Sequence, residues 1–131
     1  MIGREKMAFL RFEDLRVFQL AEKLCDDIWS IVISWEYFEK NTVGMQLVKS
    51  ADSVGANIAE GAGRGTHREN KRFVRISRGS LNETKYWIRR ARRRSLITDQ
   101  QNIFLREMID ELGPSLNAYL KSIGREKYDQ Q

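Results

Sequence analysis

Residues 64–94 read RGTHRENKRFVRISRGSLNETKYWIRRARRR. Placed on a helix at about 100° per residue, Arg64, Arg68, Lys71, Arg75, Arg78, Lys85, Arg89 and Arg93 fall within about 60° of one direction. Phe73, Ile76, Leu81, Trp87, Ile88 and Ala91 point to the other side. The stretch holds twelve Lys or Arg against two acids, Glu69 and Glu83, whereas the other hundred residues hold eleven against sixteen. A helix about 45 Å long at 1.5 Å per residue then has one face for a protein core and one that suits a polyanion.

Working outward, Gly61-Ala62-Gly63-Arg64-Gly65 supplies a stop before this helix, since Gly accepts the left-handed conformation of a helix C-cap. Thr66 with Glu69 three residues on resembles a capping box. Before the stop, Leu47, Val48, Ala51, Val54, Ile58 and Ala59 predict a helix near 43–61, preceded by a cap at Asn41-Thr42. Its row Ala51, Gly55, Ala59 invites close packing, because a mid-helix Gly costs roughly 1 kcal/mol relative to Ala unless packing offsets it. Further back, a first helix starts near Phe12-Glu13-Asp14 and carries a seam of Leu15, Phe18, Ala21, Cys25, Ile28, Val32 and Trp35. After the basic helix, a short connection leads to a cap at Thr98-Asp99. A fourth helix follows, with Ile103, Met108, Ile109, Leu112, Leu116, Leu120 and Ile123 inward. Gly113-Pro114 predicts a kink or a break in it, because proline removes one helical hydrogen bond and crowds the previous turn. Gly79-Ser80 marks a place where the second helix or a neighbouring subunit crosses the third.

Four helical patterns, short connections and no strand alternation predict an all-α, antiparallel up-and-down four-helix bundle. The 131 residues make a single domain, with a flexible N-terminus at 1–11 and a polar tail at 124–131. No apolar run approaches the roughly 18 residues that would span a bilayer, and the N-terminus lacks a secretory pattern. With one Cys and one His, neither a disulfide nor a zinc site can be assembled. A soluble, cytoplasmic protein without membrane partner is expected.

Chemistry is sparse. Di-metal bundles need inward carboxylates with Glu-x-x-His pairs on two helices, and here His67 stands alone, reading as a solvated surface side chain. Cys25 lies on the presumed seam and reads as a buried structural thiol, leaving no nucleophile and base to pair. The glycine-rich turn follows no strand and lacks Lys-Ser or Lys-Thr, so it reads as an inter-helix turn and not a phosphate loop. Glu60, one turn before Arg64, reads as a salt bridge or cap, with a partner contact as the alternative. No catalytic residue, metal ligand or cofactor is expected.

The basic face is different from ordinary exposed helix surface, which mixes signs because like charges at i,i+4 repel. Arg64/Arg68, Lys71/Arg75 and Lys85/Arg89 are like pairs, and Arg89-Arg90-Ala91-Arg92-Arg93-Arg94 concentrates five charges at one end. Arg64, Arg68, Lys71, Arg75, Arg78, Lys85, Arg89, Arg92 and Arg93 are therefore the candidate contacts to RNA or DNA phosphates. Such binding would be salt-sensitive and weak in sequence preference. With only Tyr86 near to stack on bases, structured or backbone-read RNA is favoured. The competing readings are a face paired with acids of another subunit or protein, supplied by residues such as Glu22, Asp26, Asp27, Asp110 and Glu111, and a face on an anionic membrane.

At Phe12-Glu13-Asp14-Leu15-x-Val17-Phe18, and again from Gln46 through Asn57-Ile58-Ala59-Glu60-Gly61-x-Gly63-Arg64, the chain resembles the four-helix-bundle proteins encoded in 23S rRNA intervening sequences. The run Asn57, Ile58, Ala59, Glu60, Gly61 is the specific part, and the likeness extends over residues 12–123. This family is similar in fold to the accessory protein of diversity-generating retroelements, which associates with a reverse transcriptase and nucleic acid. The resemblance implies a homo-oligomer, a pentamer-like ring, and no catalytic residues. Two positions depart from the pattern: Gly55 stands where Pro is frequent, and Arg89 to Arg94 where apolar and mixed residues are usual.

Overall fold

The computed structural model describes residues 11–125. The predicted flexible terminus and polar tail therefore lie outside the described residues, apart from Arg11, Gly124 and Arg125. Among the described residues all regular structure is helical. Four long helices dominate: α1 (Arg16–Val32), α2 (Met45–Ala62), α3 (His67–Arg93) and α4 (Asp99–Ser122).

Cross-contacts fix the directions. Gly55 of α2 faces Phe18 and Ala21 of α1 while Gly44, just before α2, faces Val32. Ser77 of α3 donates to the Val54 carbonyl of α2 at 2.7 Å and Thr84 to Ser50 at 3.0 Å. Asn70 meets Tyr119, Arg78 meets Asn117 and Arg92 meets Asp99, so α4 runs back along α3. Each helix packs on its chain neighbour and α1 closes against α4, whereas the diagonal pairs barely touch. This is an antiparallel up-and-down bundle, as predicted. Leu24 and Ile28, Leu47, Val54 and Ile58, Val74 and Leu81, and Leu105, Leu112 and Leu116 fill the core from the four helices in turn. Each such side chain contributes about 1.5–3 kcal/mol through burial.

The helix ends agree with the sequence in two places and differ in two, and of the kink or break expected at Gly113-Pro114 the break is absent. Thr66 accepts from Glu69 N–H at 3.1 Å, which is half of the expected capping box because the Glu69 carboxylate turns to Arg72, and Thr98 forms a full box with Gln101. The α2 stop uses no left-handed glycine: Gly63 has φ −84° and ψ −4°, and the turn bonds back to Ala59, Glu60 and Gly61 carbonyls. Asn41-Thr42 is no cap. The chain is already helical from Tyr37, through Tyr37–Glu39 and a wider π-helical turn at Lys40–Gly44, into α2. A π turn loosens carbonyl pairing, and Asn41 and Thr42 donate back to the Tyr37 and Phe38 carbonyls at 2.8 and 2.7 Å. Gly113-Pro114 does not end α4, which continues to Ser122. Pro114 lies on the exposed side, where water can satisfy the carbonyl freed one turn earlier.

Side-chain phase also shifts. On α1 the core line is Val17, Ala21, Leu24, Ile28 and Val32, with Phe18 and Cys25 only half-buried. On α4, Leu105 takes the place expected for Ile103, which is 53% exposed. The small row on α2 does admit α1 closely: a Cβ on Gly55 would stand 3.4 Å from Phe18. Among the described residues nothing lies within 4 Å of a Cβ placed at Gly79, so no described helix crosses α3 there.

Candidate nucleic-acid interface

The rotation of α3 is set by a buried line of Asn70, Val74, Ser77, Leu81, Thr84, Ile88 and Ala91. Four of these are small or polar, which lets α3 lie against α2 with hydroxyl-to-helix bonds in place of bulk. The apolar face expected from the sequence is therefore turned: Phe73 and Trp87 sit half-buried at its margin and Ile76 is 42% exposed. What remains outside is basic. Arg68, Arg75, Arg78, Lys85, Arg89, Arg92 and Arg93 are exposed and Lys71 is half-exposed.

Arg64 does not share this surface. It lies in the turn before α3, pairs with Glu60 at 2.9 Å and covers the Phe73 ring at 4.8 Å. Arg72 joins it over the same ring at 4.5 Å and bonds to Glu69, holding that carboxyl below the usual carboxylate range. Arg78 donates to Asn117, and Arg92 pairs with Asp99 at the start of α4. Among the described residues, Arg68, Lys71, Arg75, Lys85, Arg89 and Arg93 make no ion pair.

At the Arg-rich end the surface becomes concave. Lys85, Arg89, Arg92 and Arg93 form one wall of a groove of about 820 Å³, Asn102, Arg106 and Asp110 of α4 form the other, and Ile88 and Ile109 line the floor. Arg106 belongs to the candidate site although it lies outside the basic stretch. The Thr98 cap fixes the phase of α4, and Asn102, Arg106 and Asp110 at i,i+4 spacing are the signal that could have found this wall.

The residues of the Asn57 to Gly61 run do structural work. Asn57 donates to the Ser53 carbonyl, Ile58 is buried, Ala59 is half-buried and Glu60 holds Arg64. Gly61 is the tightest point, since a Cβ there would lie 2.6 Å from Asn70 Oδ1 and 3.0 Å from its carbonyl oxygen. His67 is not a solvated side chain: its ring packs on Gly124, and Nδ1 is buried without a hydrogen-bond partner. Cys25 is half-buried, donates to the Glu22 carbonyl at 3.2 Å, and has its thiol pushed up to about 12 by burial and by Asp52 and Asp26.

Glu22, Asp26 and Asp52 gather around Cys25 on the α1–α2 side, although Asp27 is paired with Lys23 and Glu111 with Arg16. Asp52 also lines a groove of about 410 Å³ that exposes Trp29, Ile33 and Met45, where Lys40 and Lys49 bring positive charge to the same side. A second, of about 550 Å³, lies between Phe38, Trp87 and Leu96 on the α2–α3 side. Among the described residues, no helix is long and apolar enough to cross a membrane. No curated protein matches the chain. A family model described as 23S rRNA-intervening sequence protein matches residues 13–118, a span that takes in all four helices up to the last turn of α4. The sequence resemblance and this match agree: the chain belongs to the 23S rRNA-intervening sequence protein family.

Proposed function

We propose that the protein is a non-enzymatic homo-oligomer that binds the backbone of RNA or DNA through the outer face of α3. The observation that carries this is the row Arg68, Lys71, Arg75, Lys85, Arg89 and Arg93, which makes no ion pair among the described residues. Like charges at helical spacing are unfavourable by a few tenths of a kcal/mol per pair until an anion neutralises them. Arginine adds planar, bidentate donors that match phosphate oxygens. In a ring of copies, pentameric by the resemblance, several weak contacts act on one strand together.

The test is anisotropy titration of labelled RNA and, in parallel, of labelled DNA. With about four phosphates contacted, affinity for a single strand falls on the order of 50-fold between 50 and 200 mM salt. Changing Arg68, Arg75 and Arg89 together to Glu abolishes binding and leaves helicity and oligomer mass unchanged. Retention of binding by that variant, or absence of binding at low salt, refutes the reading.

A second reading is favoured by the opposite face. Glu22, Asp26 and Asp52 around Cys25 offer carboxylates to the arginines of α3, and the adjoining groove adds exposed Trp29, Ile33 and Met45 together with Lys40 and Lys49. On this reading the protein is a scaffold whose basic face meets acidic protein surface, on a neighbouring copy or a partner such as a polymerase. Dissociation of the oligomer by the same triple change, with no RNA bound by the parent protein, would select it.

A further inference from the structure

We propose that the groove between α3 and α4 seats an unpaired base of a single strand, with Asp110 accepting from the base's amino group; this rests on the reading that the basic face binds nucleic acid. Three observations point to a base and not to more backbone. The floor is apolar where the margins of the largely buried Ile88 and Ile109 reach the groove, and a base can bring part of its flat face against them. A duplex cannot reach that floor, because it is far wider than the cleft between two packed helices whose axes lie about 8–10 Å apart. It would rest on the rim arginines alone.

The third observation is Asp110 itself. A carboxylate among Lys85, Arg89, Arg93 and Arg106 repels phosphate, and among the described residues it makes no ion pair with any of them. A surface that reads only backbone has no use for it. An acidic side chain is, however, the natural acceptor for the N4 amino group of cytosine. Uracil presents an oxygen at the same place and would be repelled. The arginines of the α3 wall then hold the phosphates on either side of the seated nucleotide, and Arg106 adds charge from the α4 wall.

The experiment uses the full chain and three labelled RNAs of about twelve nucleotides, a length within the range that single-strand grooves cover: oligocytidine, oligouridine and a duplex. Oligocytidine is expected to bind about tenfold more tightly than the duplex and about fivefold more tightly than oligouridine. Asp110→Asn, whose amide can serve either base, removes the preference for cytosine. Arg106→Ala weakens both single strands alike. Both substitutions are at exposed positions of α4. A duplex that binds as tightly as oligocytidine, or a cytosine preference unchanged in Asp110→Asn, overturns the groove assignment while leaving the basic-face reading intact. Failure of every RNA, and of single-stranded and duplex DNA of the same length, to bind overturns both.

Discussion

Ser95 takes a conformation usually left to glycine. It closes α3 with φ 61°, while Leu96 N–H reaches back to the Ala91 carbonyl at 2.8 Å and Ser95 N–H to Arg92 at 3.1 Å. A non-glycine residue in this region costs about 1–2 kcal/mol, against roughly 0.5–1 kcal/mol for the extra chain entropy that glycine loses on folding. Ser95→Gly is therefore expected to stabilise the protein by about 0.5–1 kcal/mol, read as a higher urea midpoint with unchanged slope. Cys25 offers a pH test. Its thiol ionises near 12 instead of 9.0, so at pH 9 the folded chain keeps the proton that an unfolded chain has half released. Alkylation by iodoacetamide at that pH should be more than about 100-fold slower in native than in denatured protein, since only the thiolate reacts. The sign for stability follows: native protein loses stability as pH rises from 9.0 towards about 12, because the unfolded chain ionises first.

Among the elements, the α2–α3 pair is the most extensively packed. Its closeness depends on Gly61, whose absent Cβ leaves room for the Asn70 side chain and carbonyl. Gly61→Ala is expected to cost about 1–3 kcal/mol, because the backbone oxygen at 3.0 Å cannot rotate away and the helices must part. Thermal unfolding followed by circular dichroism measures it. The existence and order of the four helices, and the caps of α3 and α4, were legible because Thr66, Thr98 and the apolar spacing act locally. The phase of α3 was not. Its core line runs through Asn70, Ser77 and Thr84, polar residues whose partners lie on other helices, Tyr119 of α4 for the first and α2 for the other two, and no local pattern reveals such partners.

At the scale of the whole molecule, the basic face was legible as composition, since the arginines cluster in one stretch. The concave part of the site was not, because its second wall comes from α4, and only the bundle brings Arg106 and Asp110 opposite Arg89 and Arg93. Arg64 dropped out for the same reason in reverse: the turn sends it to Glu60 and Phe73. Among the described residues, the molecule thus gathers unpaired arginines on α3 and leaves apolar grooves elsewhere on its surface. The π turn at Lys40–Gly44 bears on that division. It holds one residue more than an α-helical turn would, so everything before it is offset by about 100° from where an uninterrupted α2 would put it. Tyr37 and Phe38 are aimed by that offset, with Phe38 lining the groove that also holds Trp87. A chain lacking the extra residue could keep the same helices and core and yet present different aromatics to whatever lies alongside. The surface can therefore be re-aimed by length alone, without changing a single contact residue.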